Sequence, residues 1–424
     1  MIDFDFKQEC CGCTACISSC KFGAIAMLPD EEGFLMPWVD KDKCVGCGLC
    51  DKICPYLDTP LSEEDISRFS LEDFKEKKAF LYFSNNEDRK QSASGGFVYE
   101  AMKDVVARGG LACGCVWNEK MEAVHIVSDK KEDLQRMQSS KYVQSDMQDS
   151  FVKIRHALKA GRTVVFCGTP CQTAGLNSFL KKEERSHLIL ISLICHGVPS
   201  PGVWEKWKTI VEQKYGGELV DVNMRDKSYK GYSTSYCKYT FKSAFRTEGK
   251  KSGHASHECG NLNSTYLADC YARNVGMPTY LADPYIFLFT NDLYLRHSCY
   301  HCKYKAERNG ADIIVGDYYK SVPEAGNMGC SCLIAMTKKG EAFIETVSGS
   351  LIPSDYVTVG SVNSMLWKSV REHPRRENFF ERYQSTVIPD MTIFTDFLPI
   401  RFHIKKMLNY LGIFNALRKH LKKA

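Results

Sequence analysis

Nine of the 21 cysteines of the chain fall within its first 54 residues, and eight of these nine form two runs of identical spacing. Each run reads C-x2-C-x2-C-x3-C, and Pro55 follows the second run. Three thiolates in one tight turn bind three irons of a cube, so a thiolate from elsewhere must bind the fourth iron. The spacing therefore predicts two 4Fe-4S clusters, each completed by the last cysteine of the other run. The predicted ligands are Cys10, Cys13, Cys16 and Cys54 for one cluster, and Cys44, Cys47, Cys50 and Cys20 for the other.

This module is typical of bacterial ferredoxins, with one departure. Lys21 stands where the first run would carry a proline, which affects the local turn and leaves the ligands intact. Zinc is the alternative metal, although zinc sites usually place their four cysteines in two C-x2-C pairs. A pair of 4Fe-4S clusters moves single electrons, so the module predicts electron transfer without identifying a substrate.

Four cysteines farther along the chain have the positions expected of a third ligand set. Cys171 follows an apolar run and a Gly-Thr-Pro turn that opens a helix, and Cys195 ends the next apolar run. The carboxyl ends of strands collect binding sites in α/β sheets, so we expect these two thiols to lie side by side. Together with the pair Cys299 and Cys302, they supply four thiolates, enough for one more cluster.

Two alternatives to a third cluster remain open. A thiol at a helix N-terminus has a depressed pKa, which would suit a catalytic Cys171 paired with His196. Inert buried cysteines are the other alternative. Nine cysteines have no predicted role and are interpreted as small buried apolar residues: Cys11, Cys113, Cys115, Cys167, Cys237, Cys259, Cys270, Cys330 and Cys332.

The segments between the cysteines predict an α/β body. β-Branched or aromatic runs alternate with segments of helical periodicity, which favours a mixed, substantially parallel sheet. These runs are residues 79–83, 111–117, 163–167, 187–194 and 311–317. The stretch 216–290 is less regular, and the sequence assigns it no topology. We expect a ferredoxin-type domain over residues 1–60 and a larger body over 75–390, divided near 165–185.

Composition and charge narrow the class of protein further. With 424 residues, 44% of them hydrophobic, the chain is too apolar for disorder and long enough for two or three packed units. Asp3, Asp5 and Glu9 occupy the place of a signal peptide, and the longest apolar stretch is far shorter than the ~20 residues of a membrane span. We therefore expect a cytoplasmic protein, in which dense cysteines are metal ligands rather than disulfides.

The C-terminal residues 397–424 form a basic segment. They contain seven lysines and arginines and no acidic residue, while the whole chain has a net charge of +5. Apolar residues recur there at helical spacing, which predicts an amphipathic helix suited to the inner face of an anionic membrane or to an acidic partner. A terminal helix packed on the body is the alternative. Nothing in the sequence resembles a nucleic-acid-binding motif.

With these motifs in place, the chain resembles the coenzyme F-420 hydrogenase/dehydrogenase beta subunits, with a ferredoxin domain fused at the N-terminus. The resemblance covers nearly the whole chain. The motifs that carry it are Ser92-Ala93-Ser94-Gly95-Gly96, Ser139-Ser140-Lys141-Tyr142-Val143-Gln144-Ser145, Gly168-Thr169-Pro170-Cys171-Gln172, Cys195-His196-Gly197, Arg225-Asp226-Lys227, Ser298-Cys299-Tyr300-His301-Cys302 and Gly316-Asp317. Ser139 is a departure, because the family usually has Gly-Ser where this chain has Ser139-Ser140.

The resemblance implies an FAD-dependent iron-sulfur oxidoreductase whose third cluster is bound by Cys171, Cys195, Cys299 and Cys302. It also implies a flavin site built in part from Ser94, Gly95, Gly96, Ser140, Lys141 and Tyr142. Free amides before a helix would suit a pyrophosphate, Lys141 would supply a positive charge, and Tyr142 would stack on a ring. A tight turn and a solvated lysine are the ordinary alternatives.

Three functional hypotheses follow. The first is a flavin and iron-sulfur oxidoreductase that acts on a deazaflavin or another organic two-electron substrate, with surface-polysaccharide biosynthesis as one setting. The second is an electron-transfer subunit that serves a separate reductase or hydrogenase, so a redox partner protein is expected. The third is a zinc-binding interaction protein. The sequence identifies neither the substrate, nor the direction of electron flow, nor a catalytic residue.

Overall fold

The cysteine runs fold into a small unit packed on a larger α/β body, in a computed structural model that describes residues 9–58, 63–228, 231–242, 264–267, 283–400 and 402. The strands in chain order are β1 (Ile25–Pro29), β2 (Leu35–Val39), β3 (Lys78–Phe83), β4 (Leu111–Trp117), β5 (Ala123–Ser128), β6 (Val164–Gly168), β7 (Leu188–Leu193), β8 (Leu219–Asp226), β9 (Tyr236–Phe241), β10 (Ser264–Leu267), β11 (Ile313–Tyr318), β12 (Cys330–Ala335) and β13 (Ser350–Ser354).

The α-helices are α1 (Ala15–Ser19), α2 (Leu49–Ile53), α3 (Pro55–Asp58), α4 (Glu63–Ser67), α5 (Phe97–Ala107), α6 (Lys131–Met137), α7 (Ser150–Lys159), α8 (Pro170–Phe179), α9 (Pro201–Tyr215), α10 (Pro284–Thr290), α11 (His297–Tyr300), α12 (Lys338–Thr346), α13 (Tyr356–Gly360), α14 (Arg376–Ser385) and α15 (Thr392–Thr395). Short 3-10 helices lie at Leu71–Phe74, Glu87–Gln91, Lys182–Arg185, Tyr232–Thr234, Ala306–Asn309, Pro323–Met328 and Ser364–Leu366.

The N-terminal unit contains two copies of one cysteine-bearing turn. Gly12 and Gly46 occupy equivalent positions and both have a φ of 68°. One residue beyond the next cysteine, Thr14 has a φ of 64° where Gly48 has 67°, so Thr14 accepts a left-handed conformation that usually favours glycine. Helices α1 and α2 follow these turns, and the antiparallel hairpin β1-β2 lies between them in sequence. The two turns and the helices after them therefore repeat the same backbone conformation, as the two cysteine runs repeat the same spacing.

An eight-stranded sheet forms the centre of the body. Its order is β13-β3-β12-β11-β7-β6-β4-β5. The inner strands β11, β7, β6 and β4 run parallel, while the outer pairs are antiparallel. This confirms the predicted mixed, substantially parallel sheet with a ferredoxin-like unit before it.

Helices cover both faces of this sheet. Phe97 and Met102 of α5 pack on one face, and Phe151 of α7 and Leu176 of α8 pack on the other. Every residue of β6 is buried, as are the first five of β7. A strand covered on both faces has no polar side to present, which explains the continuous apolar runs of the sequence.

The stretch without a predicted topology forms a second, smaller sheet. Strands β8, β9 and β10 are antiparallel in the order β10-β9-β8. Aromatic side chains of β9 and α10 join α9 in a common core, in which Trp207 donates a hydrogen bond of 2.7 Å to the hydroxyl of Tyr239. This aromatic core supports the body on the side next to the N-terminal unit.

The N-terminal unit docks on the body through buried polar contacts. Arg376 is 3% exposed and donates to both carboxylate oxygens of Glu32, which lies in the turn between β1 and β2. The next residues continue the contact, since the Gly202 amide donates to the Gly33 carbonyl at 3.1 Å and Phe34 is buried in the aromatic core. The turn is therefore inserted into the body.

Within the described residues, no helix has the length and apolar character needed to cross a membrane. The predicted basic helix over 397–424 lies outside the described residues, apart from 397–400 and 402. The predicted domain boundaries stay predictions.

Replacing Arg376 should destabilise the docked state strongly. Arg376→Met leaves the Glu32 carboxylate without its main partner at a mostly buried site, and breaking such a pair typically costs about 3 kcal/mol or more. The midpoint of urea unfolding under anaerobic conditions measures the effect. Arg68→Met is the matched control, because the side chains of Arg68 and Glu64 are 67% and 74% exposed and exposed pairs contribute about 1 kcal/mol or less. Equal midpoints for the two variants would contradict the role of this contact.

Candidate iron-sulfur and cofactor sites

One predicted ligand set of the N-terminal unit lines a single cavity. Cys10, Cys13 and Cys16 of the first run and Cys54 of the second all face it. The hairpin closes the cavity with Met27 and Pro37, and the Gly12 amide donates to the Cys10 sulfur at 3.4 Å. The structure therefore brings together the four cysteines that the spacing predicts for one cluster. We call this the inner site.

The second ligand set lies nearer the surface. Cys20 and Cys50 pack against the apolar cluster around Ile25, and the Ala24 amide donates to the Cys20 sulfur at 3.4 Å. Cys44 is half-buried and Cys47 is exposed. We call this set the outer site, because it contains the ligand most accessible to a second molecule.

The four cysteines predicted for a third cluster line another small cavity. Cys171 comes from the first turn of α8, Cys195 from the segment after β7, and Cys299 and Cys302 from α11 and the turn after it. Strands β6 and β7 are adjacent and parallel, which places Cys171 and Cys195 at the same edge of the sheet as expected. The cavity also has a fifth cysteine in its wall, Cys11. We call it the third site.

A buried cation and a hydroxyl support the thiols of the third site. Lys305 is 3% exposed, donates to the Cys195 carbonyl and to the Met365 carbonyl at 2.9 Å, and its charge lowers the pKa of both Cys195 and Cys302 against the larger opposing effect of burial. Thr169 Oγ1 lies 3.2 Å from the Cys171 sulfur. Such neighbours favour thiolates, the form that binds iron.

The predicted low pKa of Cys171 is wrong for the free thiol. A hydrogen bond with Cys11 and burial raise its pKa well above the ordinary value, and Arg296 opposes this only in part. His196 pairs instead with Asp292, whose Oδ1 lies 2.6 Å from its Nε2, although the approach is out of line for a hydrogen bond. A catalytic Cys171-His196 pair is therefore disfavoured.

The spacing of the ligands also bears on zinc as an alternative. In the described part of the chain, no three His, Cys, Asp or Glu side chains lie close enough together to hold a single metal ion. Ligands of a 4Fe-4S cube bind different irons and surround it at wider spacing, whereas four ligands of one zinc ion converge on a point. The cysteine cavities fit the cube better.

A larger cavity of about 350 Å³ opens at the same edge of the sheet. It shares the wall formed by residues 195–198 with the third site, and His196 in this wall faces both cavities. The strand ends of β4, β6, β7 and β11 contribute Cys115, Gly168, Leu193 and Gly316. The two cavities are therefore separated by a single stretch of backbone.

Five of the six residues predicted to contact a flavin line this cavity: Ser94, Gly96, Ser140, Lys141 and Tyr142. Gly95 does not. A Cβ there would lie 2.2 Å from the Tyr82 carbonyl oxygen and 2.5 Å from the Ser331 amide nitrogen, so Gly95 packs the turn against β3 and β12. Lys227 holds the same turn by donating to the Ser94 carbonyl at 2.8 Å.

Helix α5 begins at this cavity. Gly96 is its N-cap with a φ of 89°, and no side chain caps the helix. Phe97, Val98 and Tyr99 of the first turn line the cavity. Free amides and the positive end of the helix dipole would favour an anion there.

Lys141 and Tyr142, which also line the cavity, have defined neighbours. Lys141 donates to the carbonyls of Arg136 and Gln138, both at 2.7 Å, and burial lowers its pKa to about 8. Lys141 is therefore not a solvated lysine, which is the ordinary alternative to a flavin-binding role. Tyr142 stacks on Phe289 with ring centroids 4.8 Å apart, so one of its faces is occupied by the protein.

A side-chain hydrogen bond explains how Ser139 can stand where the family usually has glycine. Its φ is 66°, a left-handed conformation in which glycine is favoured. Its hydroxyl donates to Asn223 Oδ1 at 2.7 Å, which ties the loop to β8. The loop keeps its shape through a side-chain contact.

The sequence did not identify the polar groups on the floor of the cavity. Arg225 forms an ion pair with Asp317 at 3.1 Å and donates to the Tyr142 hydroxyl at 3.1 Å. Arg225 and Asp317 both belong to motifs that carry the family resemblance, but nothing in the sequence predicted that they would contact each other. Burial lowers the pKa of His125 to about 4, so this ring is neutral where it meets the Ser145 hydroxyl at 3.0 Å.

The inner site lies against the helix that begins at the third site. A Cβ on Gly175 of α8 would lie 2.7 Å from Cys13 Cβ and 2.8 Å from Cys13 Sγ, so only glycine permits this approach. Gly175 is one turn beyond Cys171 and on the same helix face. Arg296, 2% exposed, completes the contact by donating to the Cys10 carbonyl at 2.6 Å, while its own carbonyl accepts from the Cys299 amide.

Comparison with known proteins confirms the resemblance. Residues 161–355 match the family model for the C terminus of the coenzyme F420 hydrogenase/dehydrogenase beta subunit, and residues 9–57 match the 4Fe-4S dicluster domain. No curated protein matches the chain. Among solved structures, a chain of the F420-reducing NiFe hydrogenase complex from Methanosarcina barkeri is similar, with 18% identity over 73% of this chain and 90% of that one, and a TM-score of 0.39. The two matched regions support an iron-sulfur electron-transfer protein of the oxidoreductase class that is similar over residues 161–355 to the C terminus of this beta-subunit family.

Replacing Gly175 should disrupt the inner site. Gly175→Val adds a side chain where Cys13 stands, so we expect the protein to lose about four irons, one cluster, on anaerobic purification. Iron analysis and electron paramagnetic resonance measure the loss. Ser178→Val places the same side chain on the same helix at a partly exposed position and should keep the wild-type iron content. A Gly175→Val protein with full iron content would show that this close approach is not required.

Proposed function

We propose that the protein is an iron-sulfur flavoprotein that passes electrons between its clusters and FAD, and so reduces or oxidises an organic two-electron substrate. The substrate would be a deazaflavin of the coenzyme F-420 type or another organic acceptor, with surface-polysaccharide biosynthesis as a possible setting. The observation that carries the proposal is the wall of residues 195–198, which the third site and the large cavity share. A flavin bound when the cavity is loaded would convert between single electrons and electron pairs.

The residues of the large cavity fit such a group. Its volume lies within the range of cofactor sites, and its lining is mainly apolar with a few convergent polar groups. The uncapped start of α5 suits a diphosphate, and Lys141 supplies a cation that lines the same cavity. Tyr142 and Phe289 form a stacked aromatic surface that would hold an extended ring and exclude water from one side of it.

The residues around the third site fit a cluster. Cys171, Cys195, Cys299 and Cys302 would bind it, with one thiolate for each iron. Buried Lys305 balances part of the negative charge that four thiolates bring into a site with little water. His196 lies in the wall toward the large cavity, and its contact with Asp292 would hold the backbone of that wall in place.

A second candidate, an electron-transfer subunit that serves a separate reductase, is favoured by the outer site. Cys47 is exposed, and Phe22, Val45 and Leu49 near it are 52%, 60% and 37% exposed. An apolar surface beside an accessible cluster suits a brief contact with a redox partner protein. Turnover of small organic acceptors by the isolated chain would favour the enzyme, whereas turnover only after addition of a partner would favour the subunit.

Metal and flavin analysis tests the proposal directly. Anaerobically purified protein should contain ~12 iron, four for each of three clusters, together with one flavin. Cys171→Ala and Cys299→Ala should each lose about four irons and leave the spectrum of the N-terminal clusters unchanged. Cys237→Ala removes a buried thiol from β9 and is the matched control. A wild-type protein with eight irons would rule out the third cluster, and a protein without flavin would rule out the proposed enzyme activity.

Lys141 should make flavin binding depend on pH. Because its pKa is lowered to about 8, the side chain is a cation below that pH and neutral above it, so FAD affinity should weaken as the pH rises through about 8. Fluorescence titration of the flavin-free protein measures this. Lys141→Arg should retain affinity above that pH, and Lys141→Met should bind weakly throughout. The same pH dependence in Lys141→Met would assign the effect to another group, and Lys182→Met serves as the surface control.

A further inference from the structure

Cys11 has no ligand role in any of the three predicted sets, yet it lines the cavities of two of them. Its side chain is 9% exposed and lines both the inner site and the third site. Residues 11–13 thus place a ninth thiol where the two cavities come closest. A buried cysteine that serves only as packing would not be expected to face two separate sets of ligands.

The covalent neighbours of Cys11 belong to the inner site. Cys10 precedes it directly, and Cys13 follows after Gly12. Arg296 fixes the Cys10 carbonyl, and the turn is held in the left-handed conformation of Gly12. The backbone therefore gives Cys11 a short bonded connection to two thiols of the inner site.

The Cys11 sulfur itself reaches toward the third site. Its thiol donates to the hydroxyl of buried Tyr304, which also lines the third site, at 3.9 Å. Cys11 lines the inner site together with Cys13, and it lines the third site together with Cys171. One thiol side chain therefore faces a ligand set on each side.

We propose that Cys11 is the coupling residue between the inner cluster and the third cluster, and that electrons pass between them through its side chain. This rests on the proposed third cluster. With both clusters bound, one electron would leave the inner cluster, which would be oxidised by one unit, and would enter the third cluster, which would be reduced by one unit. Cys11 would stay a thiol, and no bond would form or break.

Cys11→Ala and Cys11→Ser in the full chain, loaded with clusters and flavin, test the proposal. The chain is mixed with a limiting amount of reduced bacterial ferredoxin, a protein donor too large to enter the flavin cavity. Freeze-quench electron paramagnetic resonance follows the clusters, and absorbance follows the flavin. We expect electrons to remain on the N-terminal clusters for longer, and flavin reduction to slow several-fold. Iron content and the cluster potentials should not change.

Cys237→Ala controls for loss of a buried thiol and should keep the wild-type rate. Unchanged rates in both Cys11 variants would overturn the proposal, and so would a loss of four irons in Cys11→Ser, because Cys11 would then be a ligand. If Cys11→Ala does not fold, Cys11→Ser carries the test. Wild-type protein with eight irons or no flavin would instead overturn the proposed function, so the two failures are distinguishable.

Discussion

The close approach of the Cys13 sulfur to the backbone of α8 is the contact on which the rest of the arrangement depends. Only a glycine at position 175 allows it, and the buried guanidinium of Arg296 holds the adjacent turn at the carbonyl of Cys10. Both contacts act over short distances and tolerate little displacement. Since Arg376 clamps the hairpin at Glu32, the unit is fixed at two separate points. A rigid placement of this kind is what brings separate cysteine cavities into contact.

The sheet supplies the other half of the arrangement. Its inner strands are parallel, so the segments that follow β6, β7 and β11 meet at one edge. Cys171 and Cys195 lie in the segments after β6 and β7, and Asp317 lies near the C-terminal end of β11 itself. The same edge therefore serves the cysteine cavity and the larger cavity, with residues 195–198 between them. Parallel strand order, rather than any single residue, accounts for this proximity.

Local spacing predicts two N-terminal ligand sets, and the structure brings the four cysteines of the inner set together, because the chemistry of a cluster constrains residues that are close in sequence. The pattern of the two runs predicted that Cys54 would join Cys10, Cys13 and Cys16, and the resemblance placed Cys171, Cys195, Cys299 and Cys302 together. The positions of Cys11 and Arg225 depend on contacts between residues far apart in the chain, which spacing does not report. The pKa of Cys171 was mispredicted for the same reason, since its neighbour Cys11 lies 160 residues away in sequence.

Because the N-terminal unit is docked within the same chain, electron transfer from its clusters would also have a different kinetic order from that of a separate ferredoxin. A separate ferredoxin would have to diffuse to its acceptor, and its rate would depend on concentration and on salt through electrostatic steering. Here the inner and third sites are held together by buried contacts, so electron transfer between the proposed clusters would be unimolecular. Ionic strength would then affect only the encounter at the outer site, where Cys47 meets solvent.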